Sequence, residues 1–560
     1  MSVTGKNIAR HLRSAAIDQP DALATKSPLS VSPSGAVTHA HSTFLELDRE
    51  SDAAARLFQD AGISQGTRTL LAVKPGHDLI VGMFGLIKLG AIPVAIDPGM
   101  GWATYLKCVK HSQPTAVVGI RRATLLSRLP LTAFASIRNC ITIGTAHWKN
   151  RLARQMSTNP FPISEVQADD LAAILFTSGS TGTPKGVRYT HGMFEAQIRL
   201  IRETYGVQSG EVDMPMLPLF ALFNPALGMT TVTPLLDPAR PASANPAPIV
   251  SALLAEKVTN SFGSPAIWSR ITEYCQGKGI KLPSLRRLLI AGAPVPDGLL
   301  EQLRSIAPQC KIHTPYGATE CLPVTSIESE ELLGPLRQLT LSGRGTCVGR
   351  PVAGVEIRVI HETESALNDY TEAKMCAPGE VGEIIATGPS VTQEYDNLPT
   401  ATRSAKIREG NRLWHRIGDL GSLDADGRLF FLGRKVEKVR HAGGDLYTEA
   451  VEPTFRAHPW VARCALIGIG SNPQTAALVI EPRTGNFPPD TAAEKAFVLS
   501  LRACAQRNPA AAAVEIFVFQ KNLPVDVRHN AKIHRLQLAR EWSERLLHRA
   551  PMKSGKPLSP

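Results

Sequence analysis

An apolar run followed at once by a loop of small and hydroxyl residues is the feature that most constrains this chain. Residues 171–176, LAAILF, have the length and composition of a buried strand. Residues 177–186, TSGSTGTPKG, contain three glycines, five hydroxyl side chains and one lysine. A helical pattern begins near His191. The order of strand, loop and helix indicates an α/β fold with a ligand-binding turn at the end of a strand.

The loop has the chemistry of a polyphosphate site. Glycine lets the backbone approach a ligand closely and turn its N–H groups inward, and hydroxyls and a mobile lysine add further donors. The order Pro184-Lys185-Gly186 differs from the P-loop, in which Gly-Lys-Ser/Thr opens the helix. A flexible Ser/Gly linker is the alternative, but linkers seldom follow a buried strand so tightly.

Periodicity elsewhere predicts the same fold class. The predicted helices are residues 5–25, 43–63, 78–89 and 493–506, and the predicted strands are residues 69–73, 91–96, 116–119, 462–468, 475–480 and 515–519. This alternation favours an α/β architecture with mainly parallel sheets flanked by helices. At 560 residues, the chain is long enough for two or more domains.

Composition excludes several classes of protein. The net charge is +12, but basic residues are scattered and aromatics make up only 6%, so a nucleic-acid platform is not indicated; an anionic substrate or a peripheral membrane contact fits better. Nine cysteines without a Cys-x-x-Cys pair argue against disulfides and structural zinc, and favour a cytoplasmic location. Residues 79–96 are interrupted by Lys88, three glycines and a proline, so we expect no transmembrane segment.

Two further motifs carry nucleotide chemistry. Residues 314–320, TPYGATE, combine an aromatic face for a purine, a small residue for close approach, a hydroxyl for a phosphate and a carboxylate suited to Mg²⁺. Residues 414–420, WHRIGDL, place a carboxylate in a position to accept both hydroxyls of a ribose. Each motif alone could be an ordinary turn, but their order after the phosphate loop makes that interpretation improbable.

Together these motifs resemble those of the adenylate-forming superfamily, which includes acyl-CoA synthetases, luciferases and peptide-synthetase adenylation domains. The resemblance implies ATP and Mg²⁺ as cofactors, with Tyr316 packing on adenine, Thr319 meeting a phosphate and Glu320 coordinating magnesium. It also implies that Asp419 binds the ribose together with Arg434. The implied catalytic residues are Lys532, Glu320 and Lys185, and the remaining implied nucleotide-binding residues are Thr177, Ser178, Gly179, Ser180, Thr181, Gly182, Thr183, Gly292, Ala293, Pro294 and Gly317.

The resemblance also implies a domain organisation. We expect a large AMP-binding domain over residues 1–434, a small mobile α+β domain over 435–548 and a disordered tail over 549–560. In the family, the small domain carries a terminal lysine that bridges the substrate carboxylate and the α-phosphate. Lys532 has this place in the string Asn-Ala-Lys-Ile, where alanine replaces the family's glycine. Val436 stands at the family's hinge position, which is usually Asp or Lys.

The second half of the reaction depends on the branch of the superfamily. Ala221 stands where many acyl-CoA ligases have a histidine, and the strings FALFNPALG (220–228), DPARP (237–241) and PYGATECLPV (315–324) resemble the β-lactone synthetases of long-chain olefin biosynthesis. That resemblance implies adenylation of a long-chain 2-alkyl-3-hydroxyalkanoic acid with release of pyrophosphate. The substrate's 3-hydroxyl then attacks the adenylated carbonyl, which gives a β-lactone and AMP. The resemblance also implies association with olefin-pathway enzymes such as a β-lactone decarboxylase. A long-chain acyl-CoA or acyl-AMP ligase and a non-catalytic scaffold remain as alternatives.

Overall fold

The computed structural model describes residues 5–32, 35–177, 184–237, 240, 243–526 and 532–547. The helices in these ranges are α1 Arg10–Asp18, α2 Phe44–Asp60, α3 His77–Lys88, α4 Trp102–Ser112, α5 Arg121–Leu126, α6 Ala146–Gln155, α7 His191–Tyr205, α8 Asn224–Leu227, α9 Pro246–Ala255, α10 Pro265–Lys278, α11 Asp297–Ile306, α12 Ser329–Leu333, α13 Pro335–Leu339, α14 Pro399–Ala405, α15 Thr448–Arg456, α16 Thr491–Ala505, α17 Pro509–Ala512 and α18 Arg535–Leu547.

The strands in the same ranges are β1 Leu23–Val31, β2 Val37–Thr43, β3 Arg68–Ala72, β4 Ile92–Ala95, β5 Ala116–Gly119, β6 Asn139–Thr142, β7 Leu171–Thr177, β8 Lys185–Thr190, β9 Val212–Pro215, β10 Thr230–Val232, β11 Asn260–Gly263, β12 Arg287–Ile290, β13 Lys311–His313, β14 Tyr316–Ala318, β15 Cys321–Ser326, β16 Thr346–Pro351, β17 Glu356–Ile360, β18 Gly382–Thr387, β19 Lys406–Glu409, β20 Arg412–Leu423, β21 Leu429–Arg434, β22 Val439–His441, β23 Gly444–Leu446, β24 Val461–Ile469, β25 Thr475–Pro482 and β26 Ile516–Phe519.

A six-stranded sheet contains the strand that precedes the phosphate loop. Its order is β6-β5-β3-β4-β7-β8, and all neighbours are parallel except the last pair. Both faces are covered by apolar clusters, one with α2 and α3 and one with α4. Burial of both faces explains why β7 is a continuous apolar run and not an alternating one.

A second sheet has the order β13-β12-β11-β9-β10-β1-β2. The pairs from β13 to β1 are parallel, and β2 closes the edge as the antiparallel arm of a hairpin. These two sheets confirm the predicted α/β class with mainly parallel sheets and flanking helices. The β1–β2 hairpin was not predicted, because its exposed residues lack the alternation of a half-buried strand.

A third sheet is antiparallel and carries most of the nucleotide motifs. It contains eight strands in the order β14-β15-β16-β21-β20-β18-β17, and β19 also pairs with β20. Antiparallel neighbours need only short connections, so this part of the chain has few helices between its strands. The sequence patterns did not distinguish this direction of pairing.

The strands after Arg434 form sheets of their own. β22 pairs with β23, and β24, β25 and β26 form a three-stranded sheet packed against α15 and α16. The predicted strands and the helix of this region are all present within one or two residues of their predicted bounds. The predicted boundary at Arg434 agrees with this arrangement but stays a prediction.

The segment before the phosphate loop contains a helix that the sequence patterns did not predict. Residues 146–155 form α6, which buries Trp148 and Leu152. Among the described residues, no helix is long and apolar enough to cross a membrane.

Candidate active site

The motif of residues 314–320 forms a tight hairpin in the antiparallel sheet. Tyr316 and Gly317 lie on β14, and Thr319 and Glu320 form the turn into β15. A Cβ atom on Gly317 would lie 2.7 Å from the carbonyl oxygen of Cys321 on the opposite arm. Only glycine allows this approach, because real Cβ atoms do not come so close to a backbone oxygen. The hairpin thereby presents Tyr316 and Glu320 from one compact unit.

Asp419 is brought to Tyr316 by the neighbouring strands. The Tyr316 hydroxyl donates to Asp419 Oδ2 at 2.7 Å. Arg434 pairs with Asp419 in the register of β20 and β21, and its Nη1 lies 3.1 Å from Asp419 Oδ1. Burial raises the pKa of Asp419, while the guanidinium of Arg434 acts in the opposite direction. The three side chains predicted to hold the nucleoside therefore form one connected group.

Glu320 is held by a tyrosine that the sequence analysis did not single out. The Tyr395 hydroxyl donates to Glu320 Oε1 at 2.8 Å. The ammonium of Lys185 lies over the Tyr395 ring, 4.7 Å from its centroid, a distance typical of a cation–π contact. Tyr395 thus contacts two predicted catalytic side chains, Glu320 and Lys185. No sequence pattern around Tyr395 predicts these contacts.

The surroundings of Glu320 fit a magnesium ligand. The carboxylate is partly buried, and the Tyr395 hydroxyl donates to one of its oxygens, Oε1. A partly buried carboxylate with a second oxygen is suited to a hard divalent cation.

A buried lysine supports the same turn from behind. Lys406 donates to the backbone oxygen of Thr392 and, at 3.2 Å, to its hydroxyl, while the Thr392 N–H donates to the Glu320 carbonyl at 2.8 Å. Burial lowers the pKa of Lys406 to about 8, although the Glu320 charge raises it in part. The backbone of Glu320 is therefore fixed independently of its carboxylate.

The phosphate loop is only partly described. Ser178, Gly179, Ser180, Thr181, Gly182 and Thr183 lie outside the described residues. Thr177 ends β7 and pairs with Lys185, the first residue of β8. Lys185 and Gly186 therefore belong to a strand and not to the loop, and this strand precedes the predicted helix at His191. The β7–β8 hairpin places Lys185, at the start of β8, against Tyr395, which in turn bonds to Glu320.

Lys532 approaches the site from the region after Arg434. Burial raises the pKa of Asp419, and the positive charge of Lys532 opposes part of this rise, so the two side chains lie within electrostatic range. Three residues further on, Arg535 makes ion pairs with Glu452 at 2.7 Å and with Glu437 at 3.1 Å. These contacts anchor the segment that carries the predicted terminal lysine.

Gly292, Ala293 and Pro294 follow a strand of a different sheet from that of Tyr316 and Asp419. They follow β12 in the parallel sheet, and the preceding Ala291 N–H donates to the Gly263 carbonyl at 3.1 Å. Gly292 has a φ of +96°, which favours glycine. Within the described ranges, no hydrogen bond connects the three residues with Tyr316, Glu320 or Asp419. Their nucleotide-binding role stays a prediction.

A row of aromatic side chains leads away from the hairpin into the apolar interior. Tyr189 donates to the Thr319 carbonyl and stacks on Phe194 with ring centroids 5.0 Å apart. Phe194 contacts Phe223, which contacts Phe220, and Phe220 stacks on Phe262 at 3.8 Å. The row connects a predicted phosphate-binding turn with the 3-10 turn Pro218–Leu222, which contains Ala221.

Ala221 itself is buried and lines a narrow apolar cavity. Leu79, Ile80, Met216 and Leu236 line the same cavity, which has a volume of about 20 Å³. A histidine at position 221 would not fit here without displacing its neighbours. The small side chain is therefore part of the packing beside the aromatic row.

His191 has a structural position. It is the first residue of α7, it is buried, and its Nδ1 accepts from the Ile8 N–H at 3.3 Å. Burial lowers the pKa of His191 to about 4. A buried imidazole that accepts a backbone hydrogen bond from the segment before α1 has a packing role at the start of α7.

Comparison with known proteins gives consistent results. A family model described as AMP-binding enzyme matches residues 12–396. The olefin beta-lactone synthetase of Xanthomonas campestris pv. campestris is 42% identical over 549 residues, covering 95% of this chain and 97% of that protein. The olefin beta-lactone synthetase of Stenotrophomonas maltophilia is 41% identical over 558 residues, covering 97% and 99%.

Solved structures show the same fold. An amide bond synthetase from Marinactinospora thermotolerans aligns with a TM-score of 0.77 at 21% identity, covering 95% of this chain and 99% of that chain. The o-succinylbenzoate coenzyme A synthetase of Bacillus subtilis, in complex with ATP and magnesium ion, aligns with a TM-score of 0.72 at 21% identity, covering 94% and 98%. The three sheets and the smaller β-rich region after them are thus an arrangement that these enzymes share.

Proposed function

The chain belongs to the AMP-binding enzyme family of adenylate-forming ligases, and on that premise we propose that it is an ATP-dependent olefin β-lactone synthetase. The observation that carries this proposal is near-full-length identity of 41–42% to two proteins of that name. The connected group of Tyr316, Asp419, Glu320 and Lys185 supports the adenylation half of the reaction. Ala221 and the apolar row beside it support a lipid substrate.

In the first half-reaction, a carboxylate oxygen of a long-chain 2-alkyl-3-hydroxy acid bonds to the α-phosphorus of ATP and pyrophosphate leaves. Tyr316 and Asp419 would hold the adenosine, with Arg434 neutralising the buried carboxylate. Lys185 and Lys532 would offset negative charge on the phosphates and on the entering carboxylate. Mg²⁺ on Glu320 would supply a Lewis acid for the same charge.

In the second half-reaction, the substrate's own 3-hydroxyl oxygen bonds to the adenylated carbonyl carbon. The bond to AMP breaks, the hydroxyl proton is released and a four-membered β-lactone forms. Attack within one molecule gains the equivalent of ~7–11 kcal/mol in well-oriented cases, which offsets ring strain. An enclosed apolar wall such as the Phe194–Phe262 row would fold the alkyl chains so that the hydroxyl faces the carbonyl.

The proposal extends to location and partners. All nine cysteines are free thiols, which fits a reducing cytoplasm. The lactone product is reactive, so we propose that the enzyme works beside a lactone-consuming partner such as a β-lactone decarboxylase. A partner of that class would remove the product before water opens the ring.

A product analysis tests the proposed reaction. The protein is incubated with ATP, Mg²⁺ and a racemic 2-alkyl-3-hydroxy acid, with and without coenzyme A, and the organic products are identified by proton NMR. A β-lactone that forms without coenzyme A is the expected result. A thioester that appears only with coenzyme A would identify an acyl-CoA ligase instead, and absence of pyrophosphate with every acid would indicate a non-catalytic protein.

Lys532→Ala tests the role of the terminal lysine. Removal of this charge should lower pyrophosphate release about 100-fold or more, because an electrostatic contact to the transition state is lost. ATP binding should change less than about threefold, since Tyr316 and Asp419 remain. Stopped-flow pyrophosphate release and ATP titration separate the two effects. Pyrophosphate release at the rate of the unsubstituted protein would contradict the assignment.

A further inference from the structure

One stretch of the chain is basic without any acidic residue. Between Asp97 and Glu165, residues 98–164 contain nine lysines and arginines and no aspartate or glutamate. The stretch includes α4, α5, α6 and the neighbouring strands β5 and β6 of the six-stranded sheet. β6 is the terminal strand of that sheet. The residues that lead into β6 therefore contribute positive charge and no negative charge.

Exposed leucines lie among these basic residues. Leu125, Leu129 and Leu131 are 54%, 46% and 37% exposed, in a segment that runs from α5 toward β6. Arg121, Arg128 and Arg138 are exposed in the same segment, and in the described ranges none of the three lies within salt-bridge distance of a carboxylate. We define these three leucines and three arginines as the Leu–Arg surface.

The Leu–Arg surface is concave. An open hollow of about 640 Å³ lies between the segment 127–138 and β6. Leu129, Leu131, Phe134 and Ile137 line it together with Arg128 and Arg138. Apolar and basic side chains in one hollow match the chemistry of a lipid, which has an acyl chain and an anionic headgroup.

We propose that the Leu–Arg surface docks the enzyme on an anionic lipid membrane. Leucines enter the headgroup–acyl boundary and arginines neutralise lipid phosphates, as in other interfacial segments. A nucleic acid is disfavoured because the surface offers leucines and no stacking aromatic. Membrane docking does not depend on the proposed reaction, although it would place a water-insoluble substrate next to the enzyme.

Vesicle binding by the full chain tests the proposal. Phosphatidylcholine vesicles with and without phosphatidylglycerol are mixed with the protein, and binding is measured by co-sedimentation at low and high salt. We expect binding to the anionic vesicles that weakens with salt and little binding to the neutral ones. Arg128→Gln with Arg138→Gln should weaken partitioning about 30-fold, since each basic residue contributes about 1 kcal/mol and 1.4 kcal/mol is tenfold.

Leu129→Ser with Leu131→Ser should weaken partitioning about tenfold or more, through lost apolar insertion. The matched controls are Leu29→Ser with Leu499→Ser, two leucines that are 72% and 67% exposed outside residues 98–164, and Arg304→Gln with Lys311→Gln. All variants should keep their melting temperature and their pyrophosphate release with a short, water-soluble acid.

Two outcomes would overturn the proposal. If the arginine and leucine variants bind anionic vesicles as tightly as the unsubstituted chain, the Leu–Arg surface is not the lipid contact. If the unsubstituted chain binds no vesicle, the membrane proposal is wrong and an acidic protein becomes the occupant that the charge pattern favours.

Discussion

At the residue scale, Tyr395 is the side chain that contacts both Glu320 and Lys185 in the candidate site. Its hydroxyl donates to Glu320 and its ring lies under the Lys185 ammonium. A hydrogen bond to a charged group contributes about 1.5–3 kcal/mol. The tyrosine would therefore fix the carboxylate that is proposed to bind magnesium, without itself meeting the substrate.

Tyr395→Phe is expected to lower pyrophosphate release roughly 10- to 100-fold and to raise the magnesium concentration at half-maximal rate. The ring stays under Lys185, so ATP affinity should be unchanged. Magnesium titrations of the initial rate measure the effect, with Tyr370→Phe as a control outside the site. An unchanged magnesium dependence would show that Tyr395 does not position Glu320.

Asp213 gives a pH prediction at the same scale. Burial raises the pKa of this carboxyl to about 7, with Glu211 adding to the rise and Arg287 and the Asn224 hydrogen bond opposing it. The folded protein thus holds the proton more tightly than the unfolded chain. Its contribution to stability is present at low pH and is lost as the pH rises from about 4 through about 7.

Asp213→Asn should remove the loss of stability with rising pH, because the new amide oxygen still accepts from Asn224 and carries no charge. The gain in free energy of unfolding at about pH 8, relative to about pH 5, is expected on the order of 2–4 kcal/mol. Urea denaturation at both pH values measures it, and the exposed Asp169→Asn serves as a control. A difference between variants that does not depend on pH would refute the assignment.

At the element scale, the β14–β15 hairpin depends on one glycine. Gly317→Ala places a methyl group against the Cys321 carbonyl and the Val324 N–H, at 2.7 and 3.4 Å. Both are backbone atoms, so the two arms must separate and Tyr316 and Glu320 must move. We expect a loss of about 1–3 kcal/mol of stability and a fall of about tenfold or more in ATP affinity.

Gly298→Ala on α11 is the matched control. Nothing lies within 4 Å of the position of its Cβ atom, and alanine in a helix is favoured over glycine by about 0.5–1 kcal/mol. Its melting temperature should rise slightly and its ATP affinity should stay the same. Equal effects of the two substitutions would mean that the hairpin does not require close approach at Gly317.

At the scale of the whole molecule, Arg535 connects the segment of Lys532 with the turn after Arg434. It pairs with buried Glu452 and with Glu437, and Glu437 belongs to the 3-10 turn Lys435–Glu437. Val436, at the centre of this turn, is 47% exposed. The exposed Val436 side chain does not itself block rotation of the residues after Arg434. The role of Val436 as the hinge stays a prediction.

Arg535→Met should cost about 3 kcal/mol, because buried Glu452 loses its 2.7 Å ion pair and keeps the longer one to Arg456, at 3.6 Å. Lys532 would lose its anchor, so pyrophosphate release should fall about tenfold while ATP binding is retained. Calorimetry and pyrophosphate release test this together, with exposed Arg540→Met on α18 as the control. If the variant is destabilised but releases pyrophosphate at the normal rate, the ion pairs of Arg535 are not needed for adenylation.

The nucleotide motifs and the strongly patterned helices and strands follow from the sequence alone, for a local reason. β7, α7, the TPYGATE turn and the strands after Arg434 each depend on patterns within some ten residues, and propensity and periodicity act over that range. Tertiary structure decided the rest. Glu320 and Tyr395 are 75 residues apart. They meet because the segment after β18 bonds to the Glu320 backbone through Thr392 and bridges to Val187 of β8 through Tyr395. The contact of Lys406 with Thr392, behind Glu320, has the same origin, since contacts between distant segments are set by packing and register and leave no local pattern in the chain.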